Sequence, residues 1–205
     1  MTRSEIEAEL EALRARIGEL EARLRTEPLI ESPPQFYWTY HVLAGFSLGI
    51  FGAATSLLFN VVGSLLVGQH PLQLIRVYLT FPLGAEALQE GGSGLMLAIG
   101  CCLYLATGMV LGVPFNLVLR RLPTGAGFGF RFAVVSVLAT ALWLINFYGI
   151  LSWLQPALFG GRWIVDMIPW WVALLTHLVF GWTMLLVQPL GSFEPFRGPS
   201  SAEAA

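Results

Sequence analysis

Lysine is absent from this chain, and all 11 basic residues are arginine. More informative is where charge of either sign is missing. Four runs, Ser32–Ile75, Gly91–Leu119, Phe132–Gly161 and Met167–Phe193, contain no Asp, Glu, Lys or Arg. Ion-coupled pumps, transporters and intramembrane acid–base enzymes depend on such groups, which are expensive in lipid and retained for function. Their absence argues against active transport and proton pumping, and leaves a passive pore or a neutral-ligand site open. Cysteine is scarce too. Cys101 and Cys102 are adjacent in an apolar run, so on a helix they point to different faces and do not bridge each other. They read as buried free thiols acting as small hydrophobes. A net charge of -2 provides no nucleic-acid footprint. No nucleophile elbow, P-loop, dinucleotide fingerprint or zinc-protease helix is present, so no catalytic set is assigned. The N-terminus lacks the basic-then-apolar order of a signal peptide, because residues 3–27 are densely charged and helical in pattern.

What is there is apolar. Hydrophobic residues make up 56% and charged residues 12% of the 205 positions, and the mean hydropathy is +0.69. That composition belongs to membrane proteins. A span needs about 20 apolar residues, so each uncharged run crosses once, with spans expected at 36–68, 94–119, 131–154 and 170–190. The first run has the length for two crossings but lacks a turn signal between Tyr37 and Gln69. The expected fold is an all-α integral membrane protein: a four-transmembrane-helix bundle over 36–191 with an N-terminal cytoplasmic coiled-coil helix over 1–27. Pro28, Pro33 and Pro34 make 28–35 a stiff linker. The Gly-, Pro-, Ser- and Ala-rich tail 192–205 reads as disordered. Between the first two spans, 70–93 carries Leu72, Ile75 and Leu79 at helical spacing, the pattern of an outer interfacial helix in the headgroup plane or of a lid packed on the bundle.

Arginine placement sets the orientation. With the N-terminus inside, nine arginines lie on the inner side, and Arg76 and Arg162 lie outside. This is the positive-inside pattern. It puts both termini in the cytoplasm and the protein in a bacterial inner membrane.

The charged N-terminal stretch has its own order. Ile6, Leu10, Leu13, Ile17, Leu20 and Leu24 follow the 4-3-4-3-4 spacing of a heptad seam. Leu10, Ile17 and Leu24 take position a, and Ile6, Leu13 and Leu20 take d. In a parallel pair Glu9 faces Arg14 and Arg16 faces Glu21, both attractive. About three heptads is marginal alone in water, so a partner helix is expected, from a second copy or from another membrane subunit.

Inside the first span runs a line of small and polar residues, His41, Gly45, Gly49, Gly52, Ser56, Asn60 and Gly63. Glycines four apart, Gly45/Gly49 and Gly108/Gly112, allow close helix approach. The stretch from Asn60 to Leu72 and that from Asn146 to Leu158 share Asn, Gly, Leu, Gln and Leu at one spacing. Leu105–Gly112 parallels Leu174–Gly181 in the same way. These matches suggest two helical hairpins related by duplication. They also set Asn60 and Asn146 at equivalent places, beside Thr176 and His177. A neutral ligand or quinone held by His177, Asn60, Asn146 and Thr176 is the expected cofactor site. A haem between His41 and His177 is excluded, since their depths differ by more than about 10 Å at 1.5 Å per residue. His70, Asp166 and His177 lack metal-type spacing.

The functional expectation is a non-catalytic accessory or scaffold subunit of a larger bacterial membrane complex, assembling through the heptad helix in contact with the lipid bilayer. The alternatives are a haem- or quinone-binding redox subunit and a passive channel or small-solute permease.

Overall fold

Helices account for nearly all of the described residues. The computed structural model describes residues 3–26, 34–66, 68–89, 94–123 and 125–192, and no strand occurs among them. Among the described residues eight α-helices run in order: α1 (Arg3–Thr26), α2 (Pro34–Leu66), α3 (Gln73–Leu83), α4 (Gly94–Arg121), α5 (Phe128–Leu144), α6 (Ser152–Phe159), α7 (Trp163–Met167) and α8 (Trp170–Val187). The chain divides into two compact units, Met1–Tyr37 and Trp38–Ala205.

In the first unit, α1 carries an apolar ridge of Ile6, Leu10, Leu13, Ile17 and Leu20. These side chains are 45% to 56% exposed. The Arg23 guanidinium meets the Glu19 carboxylate at 2.9 Å, one turn back on the same helix. Of the expected linker 28–35, Pro34 and Gln35 already belong to α2, while 28–33, residues 193–205 of the expected tail and the side chain of Leu24 lie outside the described residues.

In the second unit, four helices are long and apolar enough to cross a membrane: Trp38–Leu66, Gly94–Arg121, Phe128–Phe159 and Trp170–Gly191. Two of them stop at a left-handed glycine. The first ends at Gly68, which takes φ +70°. Its amide donates to the Leu65 carbonyl and the Gln69 amide donates to the Ser64 carbonyl, at 3.2 and 2.8 Å. That pair of bonds is a Schellman stop, which favours glycine at the left-handed position. Gly160 ends α6 in the same left-handed region, at φ +77°.

The small-residue line of α2 is a packing surface. Gly45, Gly49, Gly52, Ser56 and Asn60 are buried, while Leu43, Ile50, Leu58 and Val62 between them point outward. A Cβ at Gly45 would stand 2.9 Å from the Val113 Cα, and one at Gly49 2.8 Å from the Met109 Cα. The backbones of α2 and α4 therefore touch at the two glycine pairs, Gly45/Gly49 and Gly108/Gly112. Gly52 receives the Phe180 ring of α8 in the same manner. At Gly63 the surface is open, with nothing within 4 Å.

Three features differ from expectation or extend it. Cys102 is exposed and only Cys101 is partly covered, because the outward face of α4 is itself apolar and accepts a thiol. α3 does not lie flat on a surface: Ile75, Val77, Leu79 and Thr80 are all buried. Ile75 and Leu79 fill the space above Gly100 of α4, and Val77 joins Trp143, Phe147 and Ile164 on the other side. The two stretches matched in sequence also take different local structures. Gln69 and Pro71 sit in the exposed turn before α3, whereas Gln155 and Pro156 lie within α6, with Gln155 fully buried.

Candidate functional site

Between α5 and α6 the chain does not break, but its winding changes. Ile145–Leu151 forms a π-helical segment, and the rod Phe128–Phe159 passes through it without interruption. Such wide turns are rare, and they recur at functional sites. Asn146 lies on this one.

Asn146 lines a cavity of about 340 Å³ bounded by α2, α3, α4, α5, the π segment, α7 and α8. Thr176 and His177 line it as well, so three of the four residues assigned from sequence share one cavity. The fourth stands one layer back. Asn60 donates its amide protons to the Ser56 carbonyl at 2.8 Å and to the Thr176 hydroxyl at 2.9 Å. It positions a wall residue and does not line the space itself. His177 stands in a row with Ala173, Gly181, Met184 and Gln188, all four buried, which turns the α8 face inward.

The walls are mostly apolar, with Phe81, Phe115, Phe147 and Phe180 supplying rings. No Asp, Glu, Lys or Arg is among the lining residues. Their polar tips come from Ser56, Tyr78, Tyr104 and Thr107 in addition to the three assigned residues. Ser56 and Thr107 appear in the sequence patterns described above. The two tyrosines were not singled out, although an aromatic ring with a polar tip in an apolar run is a usable signal.

Hydrogen bonding fixes where the wall protons go. Ser56 donates to the Ala53 carbonyl at 3.0 Å, so its contact with Tyr104 at 2.9 Å has the tyrosine as donor. Thr107 donates to the Leu103 carbonyl at 3.0 Å, so Tyr78 donates to Thr107 at 2.5 Å. Thr176 donates to the Val172 carbonyl at 2.8 Å and accepts from Asn60. The His177 Nδ1 lies 2.8 Å from the Ala173 carbonyl. A carbonyl only accepts, so in the neutral ring Nδ1 carries the proton and Nε2 is left as an acceptor. The Asn146 carboxamide has no hydrogen-bond partner among the described residues.

The other histidines lie elsewhere. His41 precedes Asn60 by 19 residues on α2, about 28 Å along the axis, and its carbonyl accepts from the Asn116 amide at 2.7 Å. The His70 Nδ1 accepts from the Leu72 amide at 3.1 Å in the exposed turn before α3. Neither lines the cavity. Among the described residues no group of three His, Cys, Asp or Glu side chains is placed to hold a metal ion.

No family model, curated protein or solved structure matches this chain.

Proposed function

We propose that this chain is a non-catalytic membrane subunit, recruited into a larger assembly through α1, with its four long helices in the bilayer and both termini in the cytoplasm. The observation that carries this reading is the α1 ridge. Five large apolar side chains at heptad spacing stand about half exposed, with Glu9, Arg14, Arg16 and Glu21 flanking them in attractive register. A helix of three heptads gains stability by burying such a seam against a partner. The outward faces of the four long helices support the bilayer placement. Leu58, Val110, Val137 and Leu186 are exposed there, and such faces seek lipid instead of water.

Affinity capture of the tagged chain from mild detergent tests this reading. The partner set is expected to appear with the native chain and to be lost with Leu13→Glu/Ile17→Glu. Capture of the same proteins by both forms would count against it.

The cavity favours a second role within the same subunit, the holding of a small neutral molecule. It is more than twice the volume of the roughly 150 Å³ apolar cavity that accepts benzene, and it lies at the low end of small-ligand pockets. Of the two redox cofactors expected from sequence, quinone in its reduced, hydroxyl-bearing form fits the walls better than haem does. His177 is the one histidine among the lining residues, and a bis-histidine haem needs two.

A further inference from the structure

We infer that the cavity selects an apolar molecule whose head bears a hydroxyl, an alcohol or phenol of the hydroquinone kind, over one whose head has only carbonyl or ether oxygens. This rests on the reading that the cavity holds a neutral ligand, and it adds the rule by which that ligand is chosen.

The rule follows from counting wall protons. Ser56, Thr107, Thr176 and the His177 Nδ1 each give their proton to a backbone carbonyl of their own helix. Tyr104 and Tyr78 give theirs to Ser56 and Thr107, whose single protons are already used. Every hydroxyl proton on the wall therefore points into the wall. What remains for a guest is the lone pairs of the two phenol oxygens, the free Nε2 of His177, and the carboxamide of Asn146, the one group that can both donate and accept. A guest oxygen that only accepts finds a single donor, Asn146. It also leaves His177 Nε2 desolvated and unpaired. A hydroxyl satisfies both kinds of wall group at once, donating to a ring nitrogen or phenol oxygen and accepting from the amide. In a mostly apolar space an unpaired polar atom is penalised strongly. The rings of Phe147 and Phe180 flank the space and suit a planar guest.

The test uses the full chain in lipid nanodiscs, with empty nanodiscs giving the partition background. Two matched pairs are titrated: 4-butylphenol with 4-butylanisole, and 1-octanol with octyl methyl ether. Saturable binding is expected, with the hydroxyl member of a pair at least about tenfold tighter than its ether. Preference for the hydroxyl in either pair upholds the rule, and the ranking of phenol against octanol identifies the natural source. In His177→Phe the preference is expected to shrink severalfold. Thr107→Val is the independent variant. It sits at an exposed position, and removing its oxygen releases the Tyr78 proton toward the cavity, so the ether is expected to gain affinity. Equal binding of hydroxyl and ether by the native chain overturns the rule alone. No saturable binding of any probe above empty nanodiscs overturns the ligand-binding reading beneath it.

Discussion

Adding one methyl group at Gly49 of α2 has a predictable and large effect. A Cβ there would lie 2.8 Å from the Met109 Cα and 2.9 Å from the Gly108 carbonyl carbon, and in contact with the Gly108 oxygen. Carbon atoms in good contact sit about 3.5–4.0 Å apart, so the shortfall approaches about 1 Å. All three obstacles are backbone, and no rotamer change relieves them. The helices must separate. A gap of 0.5–1 Å forfeits about a quarter to a half of each dispersion contact, and overpacking of this type costs about 1–3 kcal/mol. Gly63 on the same helix is the control, since its Cβ would meet nothing within 4 Å. There the Gly→Ala change removes only backbone freedom and is worth about 0.5–1 kcal/mol in favour of the helix. The two substitutions are chemically identical and share the backbone term, so they are expected to differ by the overpacking cost, about 1–3 kcal/mol. Thermal unfolding in one detergent, followed by circular dichroism, compares them directly. Gly49→Ala should lower the midpoint by several degrees, at about 2–4 °C per kcal/mol for this chain length, while Gly63→Ala leaves it unchanged or raised. Equal midpoints for the two variants would refute the close α2–α4 contact.

Gln155→Leu is expected to destabilise by about 1–3 kcal/mol, because the Gln155 amide donates to the Thr80 hydroxyl at 2.9 Å and its carbonyl oxygen accepts from the Ile164 amide at 3.1 Å; the same melting assay reads this, and a neutral result would remove the α3–α6–α7 tie. Thr176→Val keeps the side-chain shape but leaves an Asn60 amide proton unpaired, a loss of about 1 kcal/mol by the standard of interhelical bonds in membranes, with the double variant Asn60→Leu/Thr176→Val restoring part of it. The Arg162–Asp166 pair, at 3.1 Å and more than half exposed on both sides, should change stability by less than about 1 kcal/mol when Arg162→Ala is made. A large loss there would point to a contact beyond that pair.

Much of the helical layout was legible before any coordinates, and the reason is charge. Four uncharged runs can form only buried or lipid-facing helices, and the glycine and hydroxyl line of α2 marks the face that meets its neighbours. The ends were less visible. The third long helix extends to Phe128–Phe159, past the expected 131–154, because a flanking Arg131 does not stop a helix whose Nε can donate to the Ala126 carbonyl at 3.2 Å. The π segment was invisible, since wider winding leaves no compositional trace in Ile145–Leu151. For α3 the sequence left an interfacial helix and a lid packed on the bundle both open, because helical spacing of Leu72, Ile75 and Leu79 does not say what covers that face. Its burial depends on Gly100, which lies on a different helix and far along the chain.

The cavity was partly legible. Polar side chains are conspicuous in an uncharged background, so Asn146, Thr176 and His177 stood out and share the space. Asn60 stood out equally, yet it serves as a brace behind Thr176. Periodicity identifies the inward face of a helix but not which inward residue reaches a void and which meets a neighbouring hydroxyl. Tyr78 and Tyr104 were passed over because a tyrosine reads first as an apolar ring, while here its oxygen decides which protons remain for a guest.

Assembly through α1 is tested most directly by native mass spectrometry of the full chain released from mild detergent. The account predicts a complex heavier than one 22.5 kDa chain, from further copies or from other subunits, that falls to the monomer mass in Leu13→Glu/Ile17→Glu while thermal unfolding of the variant's helices is unchanged. A native chain that flies as a solitary monomer under the same conditions would contradict it.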